Sequence, residues 1–522
     1  MLLLTALAVL LAFVELGFTV TSKAALDIAT GQAEGELLRQ GLILAGLLAV
    51  QLLTQVSITL INVRAQASLE MALKNRIFDR LMKKRYLSLT AYHSGDILNR
   101  MTSDAGTIAA GVVGLLPEAT LLVTSLLVSV VYLFTLDRFL AAALIILGPC
   151  LIGAAQLYSR RYKSIHKQCQ ETEGRTRSFI QEILRNVLVV KAFGGEEEVL
   201  SRTKKLQLNN FRARMRRAKV SVVSSVGMFL VYNAGYYAAL AYGAWRLAMG
   251  AFTFGTVTAV LQLVGRIQTP VKNISGLIPQ YFAITASAER LLELEDMPDE
   301  KGGGELLAAD IRDMQSIVFD RVCFSYDKAK TMEYDLRINR GETVVIAGES
   351  GAGKSTLIKL LLGIIEPASG SVYIDCGDRR IAVGERSRGL FSYVPQGNLI
   401  LSGTIRENIA FASGGADAES IIRAAKTAAV WDFIATLPHG LDTRLGEGGL
   451  GLSEGQAQRI SIARAVLHDA PVILLDEATS ALDAVTEEQV LSNIRALGDK
   501  TCIAVSHRSA AFAMCDRVIR IG

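Results

Sequence analysis

The sequence predicts an α-helical polytopic membrane domain followed by an α/β domain. Two observations predict it. Of the 522 residues, 51% are hydrophobic and the mean hydropathy is +0.34, above the make-up of a soluble protein, and the apolar excess lies before residue 290. Beyond a charged, glycine-rich joint, EDMPDEKGGGELLAAD (295–310), short β-like runs alternate with helical patterns. The length requires two or more domains. They are placed at 1–294 for the membrane domain, 295–314 for a linker and 315–522 for the α/β domain.

Six stretches are long enough to cross ~30 Å of hydrocarbon at ~20 residues each. They lie near 2–20, 38–63, 112–135, 139–158, 220–246 and 253–280. The first, MLLLTALAVLLAFVELGF, lacks a basic leader region and a small-residue cleavage site, so it reads as a retained span. The loop after the second span carries Arg64, Lys74, Arg76, Arg80, Lys83, Lys84, Arg85 and Arg100, and the stretch from Arg160 to Lys219 is again basic. Loop 21–36 has Lys23 alone against Asp27, Glu34 and Glu36. Basic loops stay on the cytoplasmic side, which places both termini there. Both basic loops also have helical periodicity, which fits either surface helices or a docking surface. The net charge of +5 is small for this length and gives no reason to expect nucleic acid. Cysteines 150, 169, 323, 376, 502 and 515 are dispersed, so they read as reduced thiols, not as a disulfide framework or a zinc site.

The last span contains Arg266. It lies about 12 residues beyond Phe254, hence ~18 Å into the span and near mid-bilayer. Gln262, Arg266, Thr269 and Asn273 form one helical stripe, and Gln51, Gln55, Thr59 and Asn62 form another on the second span. A charge at that depth faces a cavity or a partner, because lipid excludes it. Two readings stand: an ion pair with Glu15 of the first span, or a cavity in which Arg266 holds an anionic group on a cargo. Tyr232, Tyr236 and Tyr237 either line such a cavity or pack.

In the second half, GESGAGKST (348–356) follows the β-branched run ETVVIA and precedes the apolar LIKLLLGII. This is the phosphate-binding G-x-x-x-x-G-K-[ST] loop in its strand–loop–helix setting. Gly348, Ser350, Gly351 and Gly353 let backbone N–H groups close around phosphate oxygens. Lys354 reaches the β- and γ-phosphates, Ser355 ligates Mg²⁺, and Thr356 opens the helix. The α/β half is therefore a P-loop NTPase domain. In PVILLDEATSALD, Val472–Leu475 reads as a buried strand that ends in Asp476, suited to the Mg²⁺ shell. Glu477 follows at the tip, placed to activate water.

Between these motifs, GEGGLGLSEGQAQRISIARAVL (446–467) resembles the signature of the ATP-binding cassette (ABC) family, with Leu452, Ser453, Glu454, Gly455 and Gln456 at its core. Six spans followed by one cassette resemble an ABC exporter half-transporter. The resemblance implies that Tyr326 stacks on adenine, that Gln396 is the Q-loop glutamine at the metal, that Ser480–Asp483 form the D-loop, and that His507 is the switch histidine. It also implies that Ser453, Gly455, Gln456 and Asp483 serve the ATP of a partner cassette. The expected partner is a second copy of the chain, with a heterodimer as the alternative. AYHSGDILNRMTSDA (91–105) and LRNVLVVKAFGGEEE (184–198) resemble the coupling loops of such exporters, and Glu447 sits in an exporter-type X-loop. With this family in view, the docking surface is the better reading of the basic loops. Glu454 departs from the usual glycine. Its acid suits the first turn of a helix, yet that turn faces phosphate in the family.

The expected function is ATP-driven export of a solute, lipid or peptide across the cytoplasmic membrane of a bacterial cell by alternating access. The alternatives are an ATP-gated channel or sensor, and an importer built on the same fold. ATP and Mg²⁺ are the expected ligands, membrane lipid surrounds the spans, and the cargo is unidentified.

Overall fold

The computed structural model describes the chain apart from residues 305–307, 327–330, 350, 398–399, 447–448, 450 and 522, and apart from the side chains of 147–164, 166–167, 224, 228, 271–276, 278 and 308–310. Two compact units result. The first is Met1–Phe78 with Ile97–Leu294, and the second is Asp79–Asp96 with Glu295–Gly522.

The helices of the first half are α1 (Leu2–Ala29), α2 (Leu37–Met82), α3 (Tyr86–Thr90), α4 (Ser94–Asn99), α5 (Ala105–Leu136), α6 (Arg138–Arg185), α7 (Val187–Ala192), α8 (Glu196–Ala248) and α9 (Phe254–Glu295). Three helices among the described residues are long and apolar enough to cross a membrane: α1, α2 and the Ser94–Leu136 run that contains α5. Within the first unit α1 packs along α5, and α6 along α8. The buried residues of α1 include Leu4, Ala8, Leu11 and Ala12, the spacing of one helical face. A core forms where α5, α6, α8 and α9 meet, around Leu133, Leu140, Ala239, Val260, Leu263 and Val264. Asp137 makes the sharp α5–α6 reversal, because its carboxylate caps α6 by accepting from the Leu140 N–H at 2.9 Å.

A π-helical turn, Arg100–Asp104, joins α4 to α5. Its ~4.4 residues per turn, set by i→i+5 bonding, stack Arg100 and Asp104 on one side. Both are buried against α9. Arg100 donates to Glu293 at 2.8 Å and to the Arg290 carbonyl at 2.9 Å. Asp104 accepts from Arg290 at 2.6 and 2.8 Å and from Ser287 at 2.9 Å.

The second unit contains α10 (Ala308–Asp313), β1 (Ser316–Phe324), β2 (Met332–Asn339), β3 (Thr343–Ala347), α11 (Lys354–Leu361), β4 (Ser369–Asp375), β5 (Arg380–Ala382), β6 (Phe391–Val394), β7 (Gly403–Thr404), α12 (Ile405–Ile409), α13 (Ala418–Thr427), α14 (Trp431–Thr436), β8 (Arg444–Leu445), α15 (Glu454–His468), β9 (Val472–Asp476), α16 (Ala484–Arg495), β10 (Thr501–Val505), α17 (Ser509–Met514) and β11 (Arg517–Arg520). Strands β11-β3-β10-β9-β6 form a parallel sheet, and β2-β1-β4-β5 form an antiparallel one. Every residue of β9 and β10 is buried, as a central parallel strand covered on both faces requires. One core lies under α11 between the two sheets, and the other lies under α12–α16.

The segment Asp79–Asp96 is stitched into this unit. Lys84 is only 4% exposed, and its ammonium donates to the Met297 carbonyl and pairs with Asp299, each at 2.6 Å. Lys84 and Asp299 form an antiparallel bridge, flanked by Arg85 N–H to Pro298 O at 3.0 Å and Glu300 N–H to Lys83 O at 2.9 Å. Glu366, beyond α11, accepts from Arg85 at 3.2 Å and from Lys301 at 2.8 Å.

Candidate functional site

The glycine-rich loop joins β3 to α11. Gly353 stands at the helix N-cap with φ +99°, a left-handed conformation that favours glycine, and a Cβ there would collide with Tyr334 and Met332. Lys354 is 7% exposed and turns its ammonium back on the loop, donating to the Gly348 and Glu349 carbonyls at 2.9 Å each. Tyr334, which the sequence reading did not single out, donates to the Gly353 carbonyl at 2.8 Å, and burial pushes its phenol up to about 12. A tyrosine on β2 gives no sequence signal for this, because the contact depends on β2 lying beside the loop.

Asp476 ends β9, 3% exposed, and accepts from the Ser355 hydroxyl at 3.2 Å. Burial raises its pKa and the adjacent Glu477 charge adds to this, while the Ser355 hydrogen bond and the Lys359 charge oppose it. Glu477 has φ +52°, a sparsely populated region for a side chain with a Cβ, and this turns it off the strand axis. Its Oε2 accepts from Gln396 Nε2 at 2.7 Å. Gln458, on the second turn of α15 and also missed, braces the same turn. It donates to the Glu477 carbonyl at 3.2 Å and to Ser480 at 3.1 Å, and accepts from the Ala481 N–H at 3.0 Å.

One cavity of about 540 Å³ gathers Tyr326, Gly351, Gly353, Lys354, Ser355, Thr356, Gln396, Glu477 and His507. Tyr326 is half exposed and meets Phe324 edge-on at 4.8 Å, which leaves a ring face available. Gly348 stands behind the loop as a carbonyl acceptor. Ser350 and Glu447 lie outside the described residues. Ser453, Gly455, Gln456 and Asp483 lie outside the cavity wall. Ser453 and Gln456 form the capping box of α15, with Glu454 exposed as its first residue. Asp483 caps α16 through the Thr486 N–H at 3.0 Å. Ser355 and Asp476 supply two adjacent hard oxygens. That donor set fits Mg²⁺, which takes one or two protein oxygens and completes its shell with water and phosphate.

In the first unit a second cavity, of about 560 Å³, is lined by Glu15, Gln51, Ser125, Arg266 and Thr269 together with apolar residues. Arg266 Nη1 lies 3.4 Å from Glu15 Oε2, so the ion pair and the cavity occur together. Gln262 and Gln55 are exposed and lie outside this wall, and the side chain of Asn273 is outside the described residues.

Residues 1–271 match the family described as ABC transporter transmembrane region, and residues 331–480 match the family ABC transporter. The chain belongs to the ABC transporter family. An ATP-dependent lipid A-core flippase of Methylobacillus flagellatus is 31% identical over 453 residues, 86% of this chain and 76% of that protein. A probable ABC transporter ATP-binding/permease protein of Haemophilus influenzae is 32% identical over 466 residues, covering 86% and 82%. The solved structure of a bacterial Atm1-family ABC exporter with ATP bound aligns at TM-score 0.83 and 25% identity, over 99% of this chain and 92% of that one. This ABC transporter is an ATP-driven, exporter-type membrane protein. It passes the membrane more than once and carries a cytoplasmic ATPase domain coupled to its membrane domain.

Proposed function

We propose that two copies of this chain form an exporter that moves a lipid-class amphiphile out of the cytoplasmic leaflet by alternating access. In this reading residues 1–294 carry six spans, 295–314 link, and 315–522 form the cassette. Six helices of 28 to 53 residues in the first half support that span count. The lipid A-core flippases among the relatives support an amphiphilic cargo, received in the cavity that holds Arg266 and Gln51.

The observation that carries the reading is the division of motifs around the 540 Å³ cavity. The P-loop, Tyr326, Gln396, Glu477 and His507 line it, while the signature and D-loop residues do not. A site half-built in this way supports a second cassette as the partner. Tyr326 stacks on adenine, and the loop N–H groups and Lys354 hold the phosphates. Ser355 and Asp476, with the amide oxygen of Gln396, would hold Mg²⁺, and that ion would supply charge that neutralises the β- and γ-phosphates. Glu477 takes the proton of a water attacking the γ-phosphorus, and the bond to the bridging oxygen of ADP breaks as the new P–O bond forms. His507 contacts the γ-phosphate. Ser453, Gly455, Gln456 and Asp483 close over the partner's nucleotide, and closure follows the tighter ATP binding of the joined state.

The test is reconstitution in sealed vesicles with a headgroup-labelled lipid. ATP-dependent outward movement against a gradient, lost in Glu477→Gln, is expected. Passive flux gated by ATP indicates a channel, and inward movement an importer. Either result overturns the export reading.

A further inference from the structure

Resting on the reading of the Arg266 cavity as the cargo site, we infer that it receives the headgroup of a zwitterionic amphiphile, one carrying a phosphate and a primary ammonium a few bonds apart. Helices α1, α2, α5 and α9 of one chain supply all its walls. Its two charges come from opposite ends of the membrane unit, 251 residues apart in sequence, and meet through a single hydrogen bond of 3.4 Å. Charge-assisted guanidinium–carboxylate bonds run to about 2.7–2.9 Å and are frequently bidentate. Arg266 offers five N–H donors and Glu15 about four acceptor sites, and both side chains keep access to the cavity, at 23% and 30% exposure. Each ion therefore has bonding capacity that its partner does not use.

Signs select the ligand. A lone anion drawn to Arg266 meets the Glu15 carboxylate beside it, and a lone cation drawn to Glu15 meets the guanidinium. A headgroup with both charges meets neither repulsion, and it replaces one stretched contact with two short ones. The surroundings agree with this. Pro270, itself in the wall, has no N–H for the Arg266 carbonyl four residues earlier, so that carbonyl lacks its usual helical donor. Gln51 and Ser125 offer neutral hydrogen bonds for ester oxygens, while Phe18, Leu48 and Leu121 provide apolar wall for the chain. At 560 Å³ the cavity lies within the range of about 300–1,000 Å³ seen for sites of small ligands.

The experiment uses the full chain in uncharged maltoside micelles and titrates two lipids of equal chain length, dioctanoyl phosphatidylethanolamine and dioctanoyl phosphatidylglycerol. Free phosphoethanolamine serves as the chainless control. Binding is read by native mass spectrometry, and response as the ratio of stimulated to unstimulated ATPase. The ethanolamine lipid is expected to bind at least tenfold more tightly than the glycerol lipid. Glu15→Gln should reverse that order, and Arg266→Gln should weaken both. Equal or tighter binding of the anionic lipid to the unaltered chain overturns the proposal, as does equal binding of the free headgroup, and neither result depends on the variants assembling. Ethanolamine-lipid preference without ATP-driven movement in vesicles would remove the export reading and leave the site standing. Movement of another cargo without that preference would do the reverse.

Discussion

The amide of Gln396 donates to the Glu477 carboxylate at 2.7 Å, across 81 residues of sequence. The segment that carries Gln396 and the tip of β9 are thus bonded to each other within the 540 Å³ cavity. The bond uses the amide N–H of Gln396 and leaves its amide oxygen free to accept or to ligate. Glu477→Gln keeps the volume and removes the proposed base. Turnover is expected to fall by about 10²–10⁴, with ATP binding by calorimetry retained. Turnover like that of the unaltered chain would remove Glu477 from the proposed role.

Lys354 should act at an earlier step. Its ammonium sits over the loop carbonyls of Gly348 and Glu349, placed to transfer to phosphate oxygens. Lys354→Ala is expected to weaken ATP affinity itself by tenfold or more, about 1.4 kcal/mol. Unchanged affinity with slowed turnover would mean that the lysine serves only the transition state.

Glu454 is exposed at the first position of α15, and the cap there belongs to Ser453 and Gln456. Glu454→Gly should therefore alter ATP affinity and turnover only slightly. A tenfold gain in either, about 1.4 kcal/mol, would identify the acid as an opponent of cassette closure. Ser453→Ala removes the cap and should lower stability by about 1 kcal/mol, read as a fall in melting temperature.

Acid should loosen the cassette through its capping carboxylates. Asp417, the N-cap of α13, is held below the usual carboxylate range by the Ser420 side chain and N–H, and Glu407 by the Thr404 N–H and hydroxyl. A carboxylate whose folded pKa lies below its unfolded value of about 4 stabilises above that value and ceases to do so as pH falls through the folded one. Asp417→Asn caps equally well without titrating. It should match the unaltered melting temperature at pH 7 and lose less of it between pH 4 and pH 3. Identical acid slopes would exclude Asp417 from the linkage.

The lining of the 540 Å³ cavity was legible because its groups sit in contiguous motifs. Glycine spacing and a buried apolar strand ending in acid specify local geometry without knowledge of neighbours. Gln458 and Tyr334 were not legible, because each acts across a fold contact that no local pattern encodes. The polar stripe around Arg266 identified a helix face, but a stripe does not say which helices oppose it. Glu15 and Ser125 come from α1 and α5, while Gln262 turned out to lie off the cavity wall. The π-turn at Arg100–Asp104 was invisible for a related reason. Periodicity near 3.6 cannot register one extra residue in a single turn.

The buried ammonium of Lys84 has a consequence for how the protein is made. Its carbonyl acceptor, on Met297, lies 213 residues later, which corresponds to roughly 10–40 s of translation at about 5–20 residues per second. Through that interval α5 to α9 are being synthesised and the ammonium has neither Met297 nor Asp299 to meet. Neither of these two contacts of Lys84 can form until residues 297 and 299 have been added to the chain. The stitch between residues 83–85 and 298–300 is a late event in the life of each molecule.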